Sequence, residues 1–98
     1  VSYTSWSKYP PVFRDMTLVA GPDLAFERIR SQIETARSEL LDSFMLLDIY
    51  QPRDDDNRNI TLRMVYRHPE RTLMAEEVDK EHGELGDHLL RALPVRFP

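Results

Sequence analysis

Polar and cationic side chains alternate with apolar ones between Ile60 and Arg67. Successive side chains of an extended strand point to opposite faces, so this segment presents one apolar face and one polar face. The polar face carries Thr61, Arg63 and Arg67. These residues offer a hydroxyl group and two guanidinium groups, which can contact phosphate oxygens or the edges of unpaired bases.

A second alternating segment, from Leu41 to Gln51, places Asp48 and Tyr50 on one side. An aromatic ring can stack on an unpaired base, and a nearby carboxylate can accept hydrogen bonds from that base. Thr17 in the segment Val12–Ala20 adds a hydroxyl group, and Asn59 adds an amide. These residue types suit the recognition of single-stranded RNA, but they also suit a solvated sheet face or one covered by another domain.

The sequence contains no catalytic or metal-binding pattern. There is no cysteine, which excludes disulfides, thiolate metal sites and cysteine nucleophiles. His82 and His88 are predicted on different faces of a helix, and the acidic run Asp54–Asp56 is typical of a solvated turn. We therefore expect neither a catalytic site nor a cofactor or metal in this domain.

The elements that position the polar residues follow from hydrophobic periodicity. Alternation predicts strands over 12–20, 41–51 and 60–67, with a short last strand over 95–97. Apolar residues three and four apart predict helices from Asp23 to about Ser38 and from about Met74 to Ala92. Either Asp23 caps the first helix, or Pro22 lies in its first turn and Asp23 interacts favourably with the positive end of the helix dipole.

This order of elements predicts an α+β protein with the ferredoxin-like βαββαβ plait, a four-stranded antiparallel sheet with both helices on one face. The other face is then uncovered within this chain. Alternation assigns the following residues to it: Asp15, Thr17, Val19, Leu46, Asp48, Tyr50, Asn59, Thr61, Arg63, Val65 and Arg67.

Size and composition indicate one globular domain. The chain has 98 residues, of which 41% are hydrophobic and 31% charged. We expect residues 1–11 to be an extended lead-in and residues 12–98 to form the domain. No apolar run is long enough to predict a membrane span, and residues 1–6 do not resemble a signal peptide. The lack of an initiator methionine fits a fragment of a longer chain.

The net charge of −4 argues against non-specific binding to a polyanion. It does not argue against a small RNA site that is recognised by shape, since the distribution of charge matters more than its sum.

Three segments resemble a known family. Residues 7–15 (SKYPPVFRD) are similar to the entry segment of the ferredoxin-fold anticodon-binding domain, and Leu46–Tyr50 to its second strand. Tyr66–Leu73, followed by Glu76–Val78, resembles its third strand, turn and second helix. This domain closes the β chain of bacterial phenylalanyl-tRNA synthetase and the single chain of the organellar enzyme.

The resemblance implies binding to the anticodon stem-loop of the phenylalanine tRNA. Tyr50 matches the family's aromatic residue that stacks on the first anticodon base, and Asp48 matches a carboxylate two residues earlier. Thr17 matches a small residue of the first strand, and Asn59 matches a polar residue that opens the third strand. All four lie on the face that alternation leaves uncovered.

The resemblance also implies the partners and the location. We expect Arg63 and Arg67 to give salt-dependent contacts with the RNA backbone. The other partner would be the remainder of the synthetase chain or its subunits, where aminoacylation would take place. The protein would be cytoplasmic, or mitochondrial if the parent is organellar. The alternative is a paralogous protein-interaction module whose uncovered sheet docks on a neighbouring domain or subunit.

Overall fold

The structure is a computed structural model that describes residues 9–98. Its elements run in the order strand, helix, strand, strand, helix, strand, which confirms the predicted α+β plait. The strands are β1 (Val12–Ala20), β2 (Leu41–Tyr50), β3 (Arg58–Tyr66) and β4 (Val95–Arg96), and the helices are α1 (Phe26–Ala36) and α2 (Ala75–Ala92). Residues 1–8 of the predicted lead-in lie outside the described residues.

The four strands form one antiparallel sheet in the order β2-β3-β1-β4. Alternate residues of the two central strands, such as Leu18 and Leu62, are fully buried on one face. Ile29 and Ile33 of α1 and Leu89 of α2 belong to the same buried cluster. Both helices therefore cover one side of the sheet, and β1 and β3 form its centre.

The first helix begins three residues later than predicted, because the chain first makes a turn. Asp23 lies in this turn and does not cap α1, whose N-cap is Ala25 without a side-chain hydrogen bond. Leu24 is buried in the core. Arg58 of β3 stabilises the turn, since its Nη2 donates hydrogen bonds to the carbonyls of Gly21, at 3.0 Å, and of Leu24.

The second helix starts close to the predicted position. The Glu77 carboxylate accepts a 2.8 Å hydrogen bond from the Met74 backbone N–H and also pairs with the Arg71 guanidinium. The Arg71 hydrogen bond and then the Met74 hydrogen bond hold the pKa of Glu77 at about 2. No helix of the described part is both long enough and apolar enough to span a bilayer.

The second strand departs from the predicted alternation. The pairing of β2 with β3 shifts register at Asp42 and at Leu47. At each of these two positions β2 contains one residue that has no partner in β3. Leu46 consequently lies opposite the buried Leu62, on the helix side of the sheet, and Met45 lies opposite Arg63. The prediction that Leu46 faces the uncovered side was therefore wrong.

Candidate nucleic-acid interface

The candidate site is the side of the sheet that faces away from α1 and α2, which we name the open face. Directly opposed residues of paired strands lie on the same face, with β-carbons about 5 Å apart. Strand pairing therefore arranges the open face in rows that run across the strands. The two rows that carry the predicted site residues are named the tyrosine row and the threonine row below.

The tyrosine row crosses all four strands. It consists of Tyr50 on β2, Asn59 on β3, Val19 on β1 and Arg96 on β4, each opposite the next. The Tyr50 side chain is 57% exposed, so its ring is available to a ligand. Arg96 was not predicted on this face, because a two-residue strand shows no alternation and its face is set only by its pairing with β1.

The threonine row lies two residues along each strand from the tyrosine row, a distance of about 7 Å. It consists of Asp48, Thr61 and Thr17 on β2, β3 and β1. The hydroxyl groups of Thr17 and Thr61 are 3.0 Å apart and share a hydrogen bond. Together the two rows place one ring, one carboxylate, one amide and two hydroxyls on a single surface, which can contact a flat base and its polar edges.

The next row contains an ion pair. Arg63 lies opposite Asp15, and its Nε and Nη2 donate hydrogen bonds of 2.8 and 3.1 Å to the two carboxylate oxygens. The Arg63 hydrogen bond lowers the pKa of Asp15, and the same bond raises the pKa of Arg63. Arg63 thus lies on the open face as predicted, but its charge is already matched within the sheet.

The two remaining residues of interest lie at the far end of the strands. Phe13 is opposite Val65 on the open face and is 52% exposed, with the Arg63 guanidinium carbon 5.9 Å from its ring centre. Phe13 was not among the residues predicted on the open face. Arg67 lies just beyond β3, and its backbone N–H donates to the Leu40 carbonyl at 2.9 Å.

A cavity of about 430 Å³ lies beside the part of β1 that the short β4 does not pair with, and it is lined by Thr17, Asp15, His82 and Phe97 among others. His82 contributes its Nδ1 to a 3.0 Å hydrogen bond with the Tyr66 hydroxyl and its Nε2 to a 3.3 Å contact with the Asp15 carbonyl. The Asp15 carboxylate is occupied by Arg63. These residues are held by structural partners and do not form an acid–base pair.

His82 is half-buried. Among residues 9–98, no three histidine or acidic side chains are grouped so that they could hold a metal ion.

The fold and the open face define the class of protein to which the chain belongs. Residues 7–97 match the model of the ferredoxin-fold anticodon binding domain, and the chain belongs to that family.

Named relatives agree with this assignment. The chain is 40% identical over 97 residues to the phenylalanine–tRNA ligase beta subunit of Nitratidesulfovibrio vulgaris, over 99% of this chain and 12% of the relative. It is 34% identical over 85 residues to the beta subunit of Chlamydia trachomatis, over 85% of this chain and 11% of that relative. With the beta subunit of Bacillus licheniformis it shares 30% identity over 99% of this chain and 12% of the relative. The chain thus spans only about an eighth of the length of the relatives it matches.

Proposed function

We propose that this chain binds the anticodon stem-loop of the phenylalanine tRNA through the open face, as a non-catalytic domain of a phenylalanine–tRNA ligase. An unpaired base stacks on the Tyr50 ring. Asn59, beside the ring, and Asp48, in the threonine row, make polar contacts with base edges, and Thr17 leaves room for the nucleotide. The proposal needs no cofactor in this domain.

The observation that carries the proposal is the setting of Tyr50. Its ring is more than half exposed, and its neighbour across the strand pair is the amide of Asn59. Rings and polar groups that share one sheet face are a common means of reading single-stranded RNA. Family membership and the names of the relatives support the same reading.

The test is to measure binding of the chain to an RNA hairpin that carries the anticodon loop of the phenylalanine tRNA. Loss of one stacked base corresponds to about 1–3 kcal/mol, so Tyr50→Ala should weaken binding by roughly 5- to 150-fold. Tyr50→Phe keeps the ring and should bind close to wild type. Fluorescence anisotropy with a labelled hairpin gives both dissociation constants.

Met74→Ala is the matched control, since Met74 is 62% exposed but precedes α2 on the covered side of the sheet. It should leave the affinity unchanged. Equal binding by wild type and Tyr50→Ala would remove the stacking role, and no binding by wild type would remove the proposed function.

A protein-interaction module is the second candidate, and one observation favours it. Four apolar side chains of the edge strand β2 are each more than 40% exposed: Met45, Leu46, Leu47 and Ile49. Exposed apolar residues on an edge strand, whose outer side pairs with no other strand of the sheet, are typical of a surface that meets another protein. If the chain is a protein-interaction module, the wild-type protein should not bind the RNA hairpin.

The first candidate also implies the wider setting of the chain. The remaining partners would be the other parts and subunits of the ligase, whose relatives are about eight times longer than this chain. The domain would act where the tRNA is charged, in the cytoplasm or, for an organellar parent, in the mitochondrial matrix.

A further inference from the structure

The arginines of this protein differ in whether a carboxylate already neutralises them. Arg63, the arginine near the middle of the open face, is paired with Asp15 through two hydrogen bonds. Four other arginines among residues 9–98 have carboxylate partners as well: Arg14 with Asp79, Arg30 with Glu27, Arg37 with Glu34 and Arg71 with Glu77. A phosphate that approached any of these would compete with a partner already in place.

Arg96 differs from them in its surroundings. It is exposed, and within residues 9–98 its guanidinium donates only a long, 3.5 Å hydrogen bond to the carbonyl of the next residue, Phe97. Its neighbour in the tyrosine row is the apolar Val19. Arg96 therefore presents on the open face a positive charge that no carboxylate of residues 9–98 pairs with.

The position of Arg96 relative to Tyr50 is fixed by the strand order. Three strand spacings separate the two residues, a distance of about 14 Å between their backbones. Asp48 lies near the Tyr50 end of the surface, and its charge repels phosphate there. The open face thus has an aromatic and acidic side, and a cationic side at β4.

We propose that Arg96 is a binding site for the phosphodiester backbone of single-stranded RNA, which it contacts at a nucleotide next to the one stacked on Tyr50. The inference rests on the proposed function and adds to it the direction of the bound strand. The RNA crosses the sheet from β2 to β4, with its base on Tyr50 and a phosphate on the guanidinium fork of Arg96. Arg96 supplies the main salt-dependent contact, and Arg63 does not.

The experiment measures hairpin affinity as a function of salt concentration for wild type and Arg96→Gln. Each phosphate contact to a single strand adds about 0.7 to the slope of log affinity against log salt. Raising the salt concentration from about 50 to 200 mM lowers the affinity of both proteins. The factor by which wild-type affinity falls should be about 2.6 times the factor for Arg96→Gln. Arg96→Lys keeps the charge and should retain the wild-type slope.

Two matched variants separate this site from general electrostatics. Arg28→Gln removes the same charge from an exposed position on α1, behind the sheet, and should keep the wild-type slope. The double variant Asp15→Asn with Arg63→Gln removes the ion pair without changing the net charge, and it too should keep the slope.

A wild-type slope in Arg96→Gln, with intact binding, would overturn the inference and leave the proposed function in place. A reduced slope in the double variant alone would assign the phosphate to Arg63 and would also overturn it. An equal reduction in Arg28→Gln and Arg96→Gln would show a general charge effect in place of a site. Absence of binding by wild type would overturn the proposed function, and this inference with it.

Discussion

At the scale of single residues, the nearest opposite charge decides what an arginine can do. Arg63 and Arg96 both lie on the open face, where Arg63 is half-buried and Arg96 is exposed. The Asp15 carboxylate opposite Arg63 accepts two hydrogen bonds from its guanidinium group. The side chain of Val19, opposite Arg96, has no hydrogen-bond acceptor. Arg63 therefore links β3 to β1 across the open face, and the guanidinium group of Arg96 remains available to a ligand.

The Asp15–Arg63 pair gives a prediction about titration. In Arg63→Gln the hydrogen bond that lowers the pKa of Asp15 is lost, so this pKa should rise towards 3.8. Because the folded-state pKa in wild type is the lower one, the pair stabilises the fold above about pH 4, and this contribution is lost as the pH falls. A titration of the Asp15 carboxyl carbon by NMR measures the change. Arg71→Gln should leave the Asp15 pKa as in wild type, and a similar shift in that variant would contradict this cause.

At the scale of elements, a residue of one strand stabilises the turn that precedes a distant helix. Arg58 opens β3 and holds two carbonyls of the turn between β1 and α1. This long-range contact holds the carbonyl groups of the turn, whereas the free N–H groups of the first turn of α1 receive no hydrogen bond from the Ala25 side chain. It joins the hairpin end of the sheet to the start of the helix layer.

Replacing Arg58 should destabilise the whole domain. Hydrogen bonds to charged groups contribute about 1.5–3 kcal/mol, so Arg58→Met should lower the free energy of unfolding by roughly that amount. Chemical denaturation monitored by circular dichroism measures the loss. Arg53→Met in the exposed loop between β2 and β3 is the control and should unfold like wild type. Equal stability of Arg58→Met and wild type would show that the turn forms without this contact.

At the scale of the whole molecule, His82 connects the helix layer to the sheet. Its Nε2 lies 3.3 Å from the Asp15 carbonyl of β1, and its Nδ1 lies 3.0 Å from the Tyr66 hydroxyl of β3. A neutral imidazole carries one N–H, so Nε2 donates to the carbonyl and Nδ1 accepts from the hydroxyl. Burial is the main reason that the pKa of His82 is lowered from 6.5.

This lowered pKa predicts how the fold responds to acid. The unfolded chain binds a proton at His82 near pH 6.5, and the folded chain binds it only at lower pH. The contribution of His82 to stability is thus complete above pH 6.5 and decreases as the pH falls from there towards the folded-state pKa. Thermal unfolding between pH 7 and pH 5 should show a smaller decrease in Tm for His82→Gln than for wild type. Parallel curves would contradict this role for His82.

The sequence by itself determined the order of elements and the membership of the open face at Thr17, Asp48, Tyr50, Asn59 and Arg63. Alternation along a strand is a local property, and it fixes which residues share a face wherever the strand is regular. It failed at Leu46, because the bulge at Leu47 has no local sequence signal and arises from the pairing of β2 with β3.

Only the tertiary structure decided which of these residues meet. The pairing of Arg63 with Asp15, the hydroxyl pair of Thr17 and Thr61, and the place of Arg96 in the tyrosine row depend on the register between strands. These strands are far apart in the chain, and their register is set by how the shared core packs against both helices. The types of side chain on the open face were therefore predictable, whereas their partners and the free charge at β4 were not.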